Sequence, residues 1–157
     1  MSIEQIHDSA LTLQQLPSEH DRLVMQAAFP HFSPETLFDY WTTPDFLCQW
    51  WPQQAEIDPH EGGAYHLSWP KMEWNLRGQY TAFERGKALA FSWKWDHTSA
   101  PARQVEITIA PLPTGGPQLT LTHGFYTDSS EDQEERQSHV EGWMHFLSRL
   151  QQMLVDE

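Results

Sequence analysis

Three stretches near the middle of the chain alternate apolar and polar residues with a period of two, and a long stripe of helical period follows them. In 88–95, Leu89, Phe91, Trp93 and Trp95 share one face while Ala88, Ala90, Ser92 and Lys94 share the other. In 103–110, Val105, Ile107 and Ile109 alternate with Gln104, Glu106 and Thr108, and in 118–125 Leu119, Leu121, His123 and Phe125 line one face. Arg85-Gly86-Lys87 and the segment from Pro111 to Pro117 punctuate them as turns. From about 132 to 155, Val140, Trp143, Met144, Leu147, Leu150 and Leu154 recur at three- and four-residue steps. Strands joined by short turns make an antiparallel sheet with one apolar face, and a long amphipathic helix is its natural cover. A curved sheet gripping a helix leaves a cleft between the two, the obvious ligand site.

The remaining segments fit this plan. Residues 21–29 read as a first strand. Ser33-Pro34-Glu35 and Thr43-Pro44-Asp45 each pair an N-cap residue with a proline and an acid, predicting short helices over 34–42 and 44–50. Strands follow at 53–58, 63–69 and 74–84, with a turn at Pro59 to Gly62. The fold class is therefore α+β: a first strand, two short helices, about six further antiparallel strands, and a long C-terminal helix. Residues 1–20 read as an N-terminal extension. Ile3, Ile6, Ala10 and Leu13 fall at helical spacing there, closed before Pro17. Residues 21–157 form the single domain, a size that suits one core in a chain of 157 residues.

Charge and composition narrow the function classes. Nine Lys and Arg stand against 22 Asp and Glu, a net charge of −13. Such a surface repels phosphate backbones and anionic lipid, so neither nucleic acid nor membrane is expected as a partner. No apolar run approaches the roughly 20 residues that span a bilayer, and the first residues lack the pattern of a targeting peptide, so the expected location is cytoplasmic. The single Cys48 excludes a disulfide framework within the chain and a polythiolate zinc site. It sits in the second short helix with no Cys/His/Asn pattern, and an inert thiol is expected.

The candidate site residues lie on the inner strand faces and the helical stripe. His123 stands among apolar neighbours. Its imidazole there serves either as a core group satisfied by a neighbour or as a polar contact for a ligand. His139 and His145 are six apart on the last helix, which points them to different faces, so they do not pair as metal ligands. His60, His66 and His97 show no ligand spacing either, and no metal and no cofactor is expected. Trp69, Trp74, Trp93, Trp95 and Trp143 suggest an aromatic box. Packing in the core accounts for most of them, yet so many indoles leave some to line a pocket or stay exposed. No nucleophile elbow, phosphate loop or dinucleotide fingerprint is present, and no catalytic residue is assigned. The acids that open the last helix, Glu131, Asp132, Glu134 and Glu135, suit its dipole without any metal.

A set of short motifs runs through the chain in order: Ala28-Phe29, Pro34-Glu35-Thr36-Leu37-Phe38, Trp41-Thr42-Thr43-Pro44, Trp50-Trp51-Pro52, Gly62-Gly63-Ala64-Tyr65, Gly78-Gln79-Tyr80 and Leu89 to Trp93. Leu119 to His123, His139, Gly142-Trp143 and Leu147 to Leu150 complete it. In these the chain resembles the START-like superfamily, also called SRPBCC, and within it the domain shared with the activator of heat-shock-protein-90 ATPase. The resemblance covers roughly 21–155. It implies a helix-grip fold, like that of the birch-pollen allergen, with a cavity between sheet and C-terminal helix.

Three functions follow from these readings. The first is a binding module that encloses a small apolar or aromatic molecule, with Phe91, Trp93, Leu121, His123, Trp143 and Leu147 as its wall. The second is a protein partner, by analogy with co-chaperones that regulate heat-shock protein 90. The third is a cyclase or hydrolase using His123, for which no second polar group is identified. Trp143 is expected to anchor the last helix, with Gly142 beside it allowing close backbone approach.

Overall fold

Two strands from near opposite ends of the chain, 22–28 and 117–124, lie side by side in the sheet and tie its two halves together. The computed structural model describes residues 11–154. In chain order it contains β1 (Leu13–Leu16), β2 (Arg22–Ala28), α1 (Pro34–Thr42), α2 (Pro44–Leu47), β3 (Gln54–Ile57), β4 (Ala64–Trp69), a 3-10 turn (Pro70–Met72), β5 (Trp74–Glu84), β6 (Ala88–Trp95), β7 (Arg103–Pro111), β8 (Pro117–Gly124) and α3 (Ser130–Gln151). The strands form one antiparallel sheet in the order β1-β2-β8-β7-β6-β5-β4-β3. The architecture is the helix-grip arrangement, with α3 against the concave face.

Local chemistry explains the element ends. Ser33 caps α1 by accepting from the Thr36 amide at 3.0 Å, and prolines open both short helices. Ser129 caps α3, its Oγ accepting from the Asp132 amide at 3.1 Å. Ser129→Ala is therefore expected to cost about 1 kcal/mol, read as a lowered midpoint of thermal unfolding. Gly78 in β5 has a packing reason: a Cβ there would lie 2.0 Å from the Ser92 carbonyl oxygen and 2.6 Å from the Tyr65 ring. That close approach lets the Tyr65 hydroxyl donate to the same carbonyl at 2.6 Å.

The alternation places one continuous apolar row across the sheet. Leu23, His123, Val105 and Phe91 face one another in register across β2, β8, β7 and β6, and all four are buried. Val140, Trp143, Leu147 and Leu150 of α3 close over this surface. The end of α3 is tied down by Gln151, which is buried and donates to the carbonyls of Thr12 and Ala28 at 2.8 and 2.9 Å.

Four details differ from the sequence reading. Leu13, placed in a helix by its spacing, begins a strand that pairs Leu13 with Ala27 and Leu16 with Val24, because the open edge of β2 offers it a ladder. The rest of that expected helix, Ile3, Ile6 and Ala10, lies outside the described residues. Phe125 does not share the inner face with His123. Strand β8 ends at Gly124, and Phe125 is 64% exposed beneath the Arg22 guanidinium, while Tyr126 takes the buried place. Met144 stands at the margin of its stripe and is exposed. Helix α3 starts two residues earlier than expected and ends at Gln151, so Leu154 follows it in a turn. Among the described residues, no helix is long and apolar enough to cross a membrane.

Candidate functional site

A cavity of about 700 Å³ opens between the outer part of the sheet and the exposed side of α3. Six tryptophans line it. Trp93 and Trp95 come from β6, Trp69 and Trp74 from the hairpin of β4 and β5, Trp143 from α3, and Trp51 from the segment after α2. Trp51 stacks on Trp93 at 5.8 Å and 19° between planes, and meets Trp143 at 5.2 Å and Trp69 at 6.2 Å. All five tryptophans singled out in the sequence as an aromatic box thus line one cavity. Three of them, Trp69, Trp93 and Trp143, also belong to the buried core.

The expected wall divides into two layers. Trp93 and Trp143 line the cavity. Leu121, His123 and Leu147 are completely buried behind it. Phe91 borders a separate void of about 10 Å³, beside Tyr65, Tyr80 and Trp41. The division follows from strand geometry: two residues along β6 carry the chain nearly 7 Å, so Phe91 lies under the core while Trp93 reaches the opening.

His123 therefore acts from the second layer. The Trp143 Nε1–H donates to His123 Nδ1 at 3.1 Å. Indole nitrogen can only donate, so Nδ1 is the accepting nitrogen, and the proton of the neutral ring sits on Nε2. That Nε2 is buried without a partner, as are the indole nitrogens of Trp41 and Trp93. Burial holds the His123 pKa well below its usual value, and the neighbouring His139 and Arg103 add to the effect.

His139 was not in the expected wall, yet its ring stacks on His123 at 4.5 Å and 10° and lines the cavity. Burial keeps it neutral, with a pKa of about 4; Arg103 lowers it further and Glu135 opposes the shift. The Tyr126 hydroxyl lies 2.6 Å from His139 Nδ1. Tyr126 is buried, so its proton is best placed on that bond, which leaves Nε2–H as the free donor of His139. His139 and His145 both reach the cavity, so facing different ways on the helix did not separate them from a common site.

Arg103 fixes the base of this network. It is buried on β7, pairs with Glu135 at 2.6 Å and with Asp132 at 3.2 Å, and lies over the Tyr126 ring at 4.4 Å. Burial works against its charge, but the two carboxylates overcome this and raise its pKa.

Gly142 also lines the cavity, and a Cβ placed on it would meet nothing within 4 Å. The expected close approach of the sheet backbone is therefore absent there, because the bare helix faces open space. Missed in the sequence were Trp51, His139, Gly142, Phe146 and Arg149. For the last four a signal existed: together with Trp143 they recur at steps of three and four on one side of α3. Trp51 had no periodic signal, since it lies outside any regular element, and entered only through the Trp50-Trp51-Pro52 motif. Among the described residues, no group of three or more His, Cys, Asp or Glu side chains is arranged to hold a metal ion.

A family model described as "Activator of Hsp90 ATPase homolog 1-like protein" matches residues 31–155. Among solved structures, protein MLL2253 of Mesorhizobium loti is 23% identical, with a TM-score of 0.75 over 86% of this chain and 96% of that one. A Rhodobacter sphaeroides protein is 21% identical, with a TM-score of 0.74 over 92% and 99% of the two chains. CalU16 of Micromonospora echinospora is 18% identical, with a TM-score of 0.65 over 91% and 85%. At these identities the likenesses speak for the fold alone. No curated protein matches the chain by sequence.

Proposed function

The chain belongs to the Activator of Hsp90 ATPase homolog 1-like family, and from that premise we propose that its indole-lined cavity binds a small hydrophobic or aromatic molecule. The observation that carries this reading is the combination of volume and lining. About 700 Å³ falls within the range of small-molecule sites, and aromatic walls interspersed with polar groups such as His139, Ser138 and Arg149 are typical of them. The enzyme reading through His123 has less support, because that ring is fully buried behind Trp93 and Trp143.

The test uses Gly142 as a plug. Leucine at 142 projects into open space, so the fold is expected to tolerate it while the cavity fills. Binding of neutral 4-biphenylmethanol is followed by tryptophan fluorescence in wild type and Gly142→Leu. Saturable quenching in wild type and at least tenfold weaker binding in the variant are expected. Equal binding by both proteins, or none by wild type, would overturn the cavity reading and move a protein-partner role to first place.

A further inference from the structure

We propose that the cavity takes an elongated, flat aromatic carboxylate, with its rings against Gly142 and its carboxylate on Arg149. The proposal rests on the ligand-binding reading above and specifies the chemistry of that site.

The first observation is Gly142. A glycine in the middle of a 22-residue helix costs about 1 kcal/mol relative to alanine. Such a glycine usually admits a neighbouring element, but nothing lies within 4 Å of where its Cβ would be. The space it leaves is the cavity itself. The bare helix backbone at Gly142, with His139 one turn before it and Phe146 one turn after, admits a planar ring to van der Waals contact, which a side chain would prevent. The indoles opposite it offer faces and edges for the same ring.

The second observation is the arrangement of charge. Arg149 lines the cavity and makes no ion pair among the described residues; its guanidinium donates only to the Gln49 carbonyl, at 3.3 Å. Arg149 is exposed at the cavity rim and, like Arg136, Lys71, Lys87 and Lys94, has no carboxylate partner among the described residues; of these five it is the one that lines the cavity, where its guanidinium can meet a carboxylate. The planar guanidinium matches a carboxylate in two parallel hydrogen bonds. The other charged group of the wall, Glu135, stands at the opposite end of the same helix face, where Arg103 pairs with both Glu135 and Asp132 and leaves the cluster one net negative charge. An anion is therefore disfavoured at that end and directed to Arg149. Beside Glu135, the Nε2–H of His139 offers a neutral donor to a hydroxyl or carbonyl on the far end of the ligand.

The third element is length. Gly142 and Arg149 are seven residues apart, about 10 Å along the helix axis. Two linked or fused aromatic rings ending in a carboxylate suit that span.

The experiment compares 4-biphenylcarboxylic acid with 4-biphenylcarboxamide, which has the same shape and no charge. Both are titrated by calorimetry into wild type, Arg149→Gln, Gly142→Ala and Gly142→Leu. Wild type is expected to bind the acid about tenfold more tightly than the amide. Arg149→Gln is expected to erase that preference by weakening the acid alone. Gly142→Ala should weaken both probes and Gly142→Leu should weaken them further, and the alanine variant stands in if the leucine variant fails to fold. Equal affinity of wild type for acid and amide, or an unchanged preference in Arg149→Gln, would overturn the carboxylate assignment while leaving the cavity reading intact. Undiminished binding of both probes to the folded Gly142 variants would overturn the placement of the rings. Failure of wild type to bind either probe would overturn both readings together.

Discussion

Trp143→Ala is expected to destabilise the protein by about 3–5 kcal/mol. The side chain is 3% exposed and touches Trp41, Trp51 and Trp93 at centroid distances of 5.2 to 5.8 Å, joining α3 to the sheet and to the segment after α2. It is also the hydrogen-bond donor to His123. Alanine removes the packing and leaves a second buried imidazole nitrogen unpaired. For a chain of this size, that loss corresponds to a fall of roughly 6–20 °C in melting temperature. Trp143→Phe separates the two contributions: it keeps a ring in place and deletes only the N–H, at a cost of about 1–3 kcal/mol beyond the smaller ring. Thermal unfolding followed by circular dichroism checks both. A melting temperature within 2 °C of wild type for the alanine variant would contradict the packing described here.

Acid is expected to weaken the fold across a window set by two buried histidines. The folded-state pKa of His139 is about 4, against about 6.5 for a free imidazole. Between those values the unfolded chain binds a proton that the folded chain refuses. Stability from this group is therefore complete above pH 6.5 and is lost as pH falls toward 4. The gap corresponds to roughly 3 kcal/mol. His123 is shifted in the same direction, so it adds to the loss. The groups facing the pair are Arg103, whose charge opposes an imidazolium, Tyr126 and Trp93, which carry no charge, and Glu135, whose 3.7 Å contact with His139 only moderates the shift. Asp132 works in a different range. Hydrogen bonds from Thr127 lower its pKa, so its contribution persists above about 3.8 and disappears only at more acid pH. Urea unfolding at pH 7.5, 6.5, 5.5 and 4.5 should show little change between the first two and a steady decline thereafter. His139→Gln should flatten that decline. A wild-type stability that is level from 7.5 to 4.5 would mean the rings are not held neutral.

The strands from 88 to 125 and the last helix were readable because each buries one face, and burial on one face imposes its period on the residues. Phe91, Trp93, Leu121 and His123 were all placed correctly on the inner side of the sheet. Periodicity does not report depth, however. It cannot distinguish Trp93, at the opening, from Leu121, two strands away under the helix, since both occupy inward positions of equal status. The edge strand β1 was hidden because four residues carry too little pattern to outweigh an accidental helical spacing. Gly142 was misread for a related reason. A helical glycine shows that something comes close to the backbone, and only the surroundings show whether that is a neighbouring strand or the interior of a cavity.

The adjacency of β2 and β8 has a consequence for how the molecule comes into being. Leu23 faces His123, a partner one hundred residues later in the chain. At ordinary rates of synthesis, about 5–20 residues per second, β2 waits roughly 5–20 s for that strand to be made. During this interval β1 and β2 can form only a hairpin, with Leu23 and Met25 unprotected, while β3 to β6 assemble by local pairing. The two halves join when β7 and β8 emerge, and α3 then covers the seam. The order of the strands thus makes birth of the protein a late, concerted event, and the nascent chain has a period of vulnerability to aggregation that the finished molecule does not.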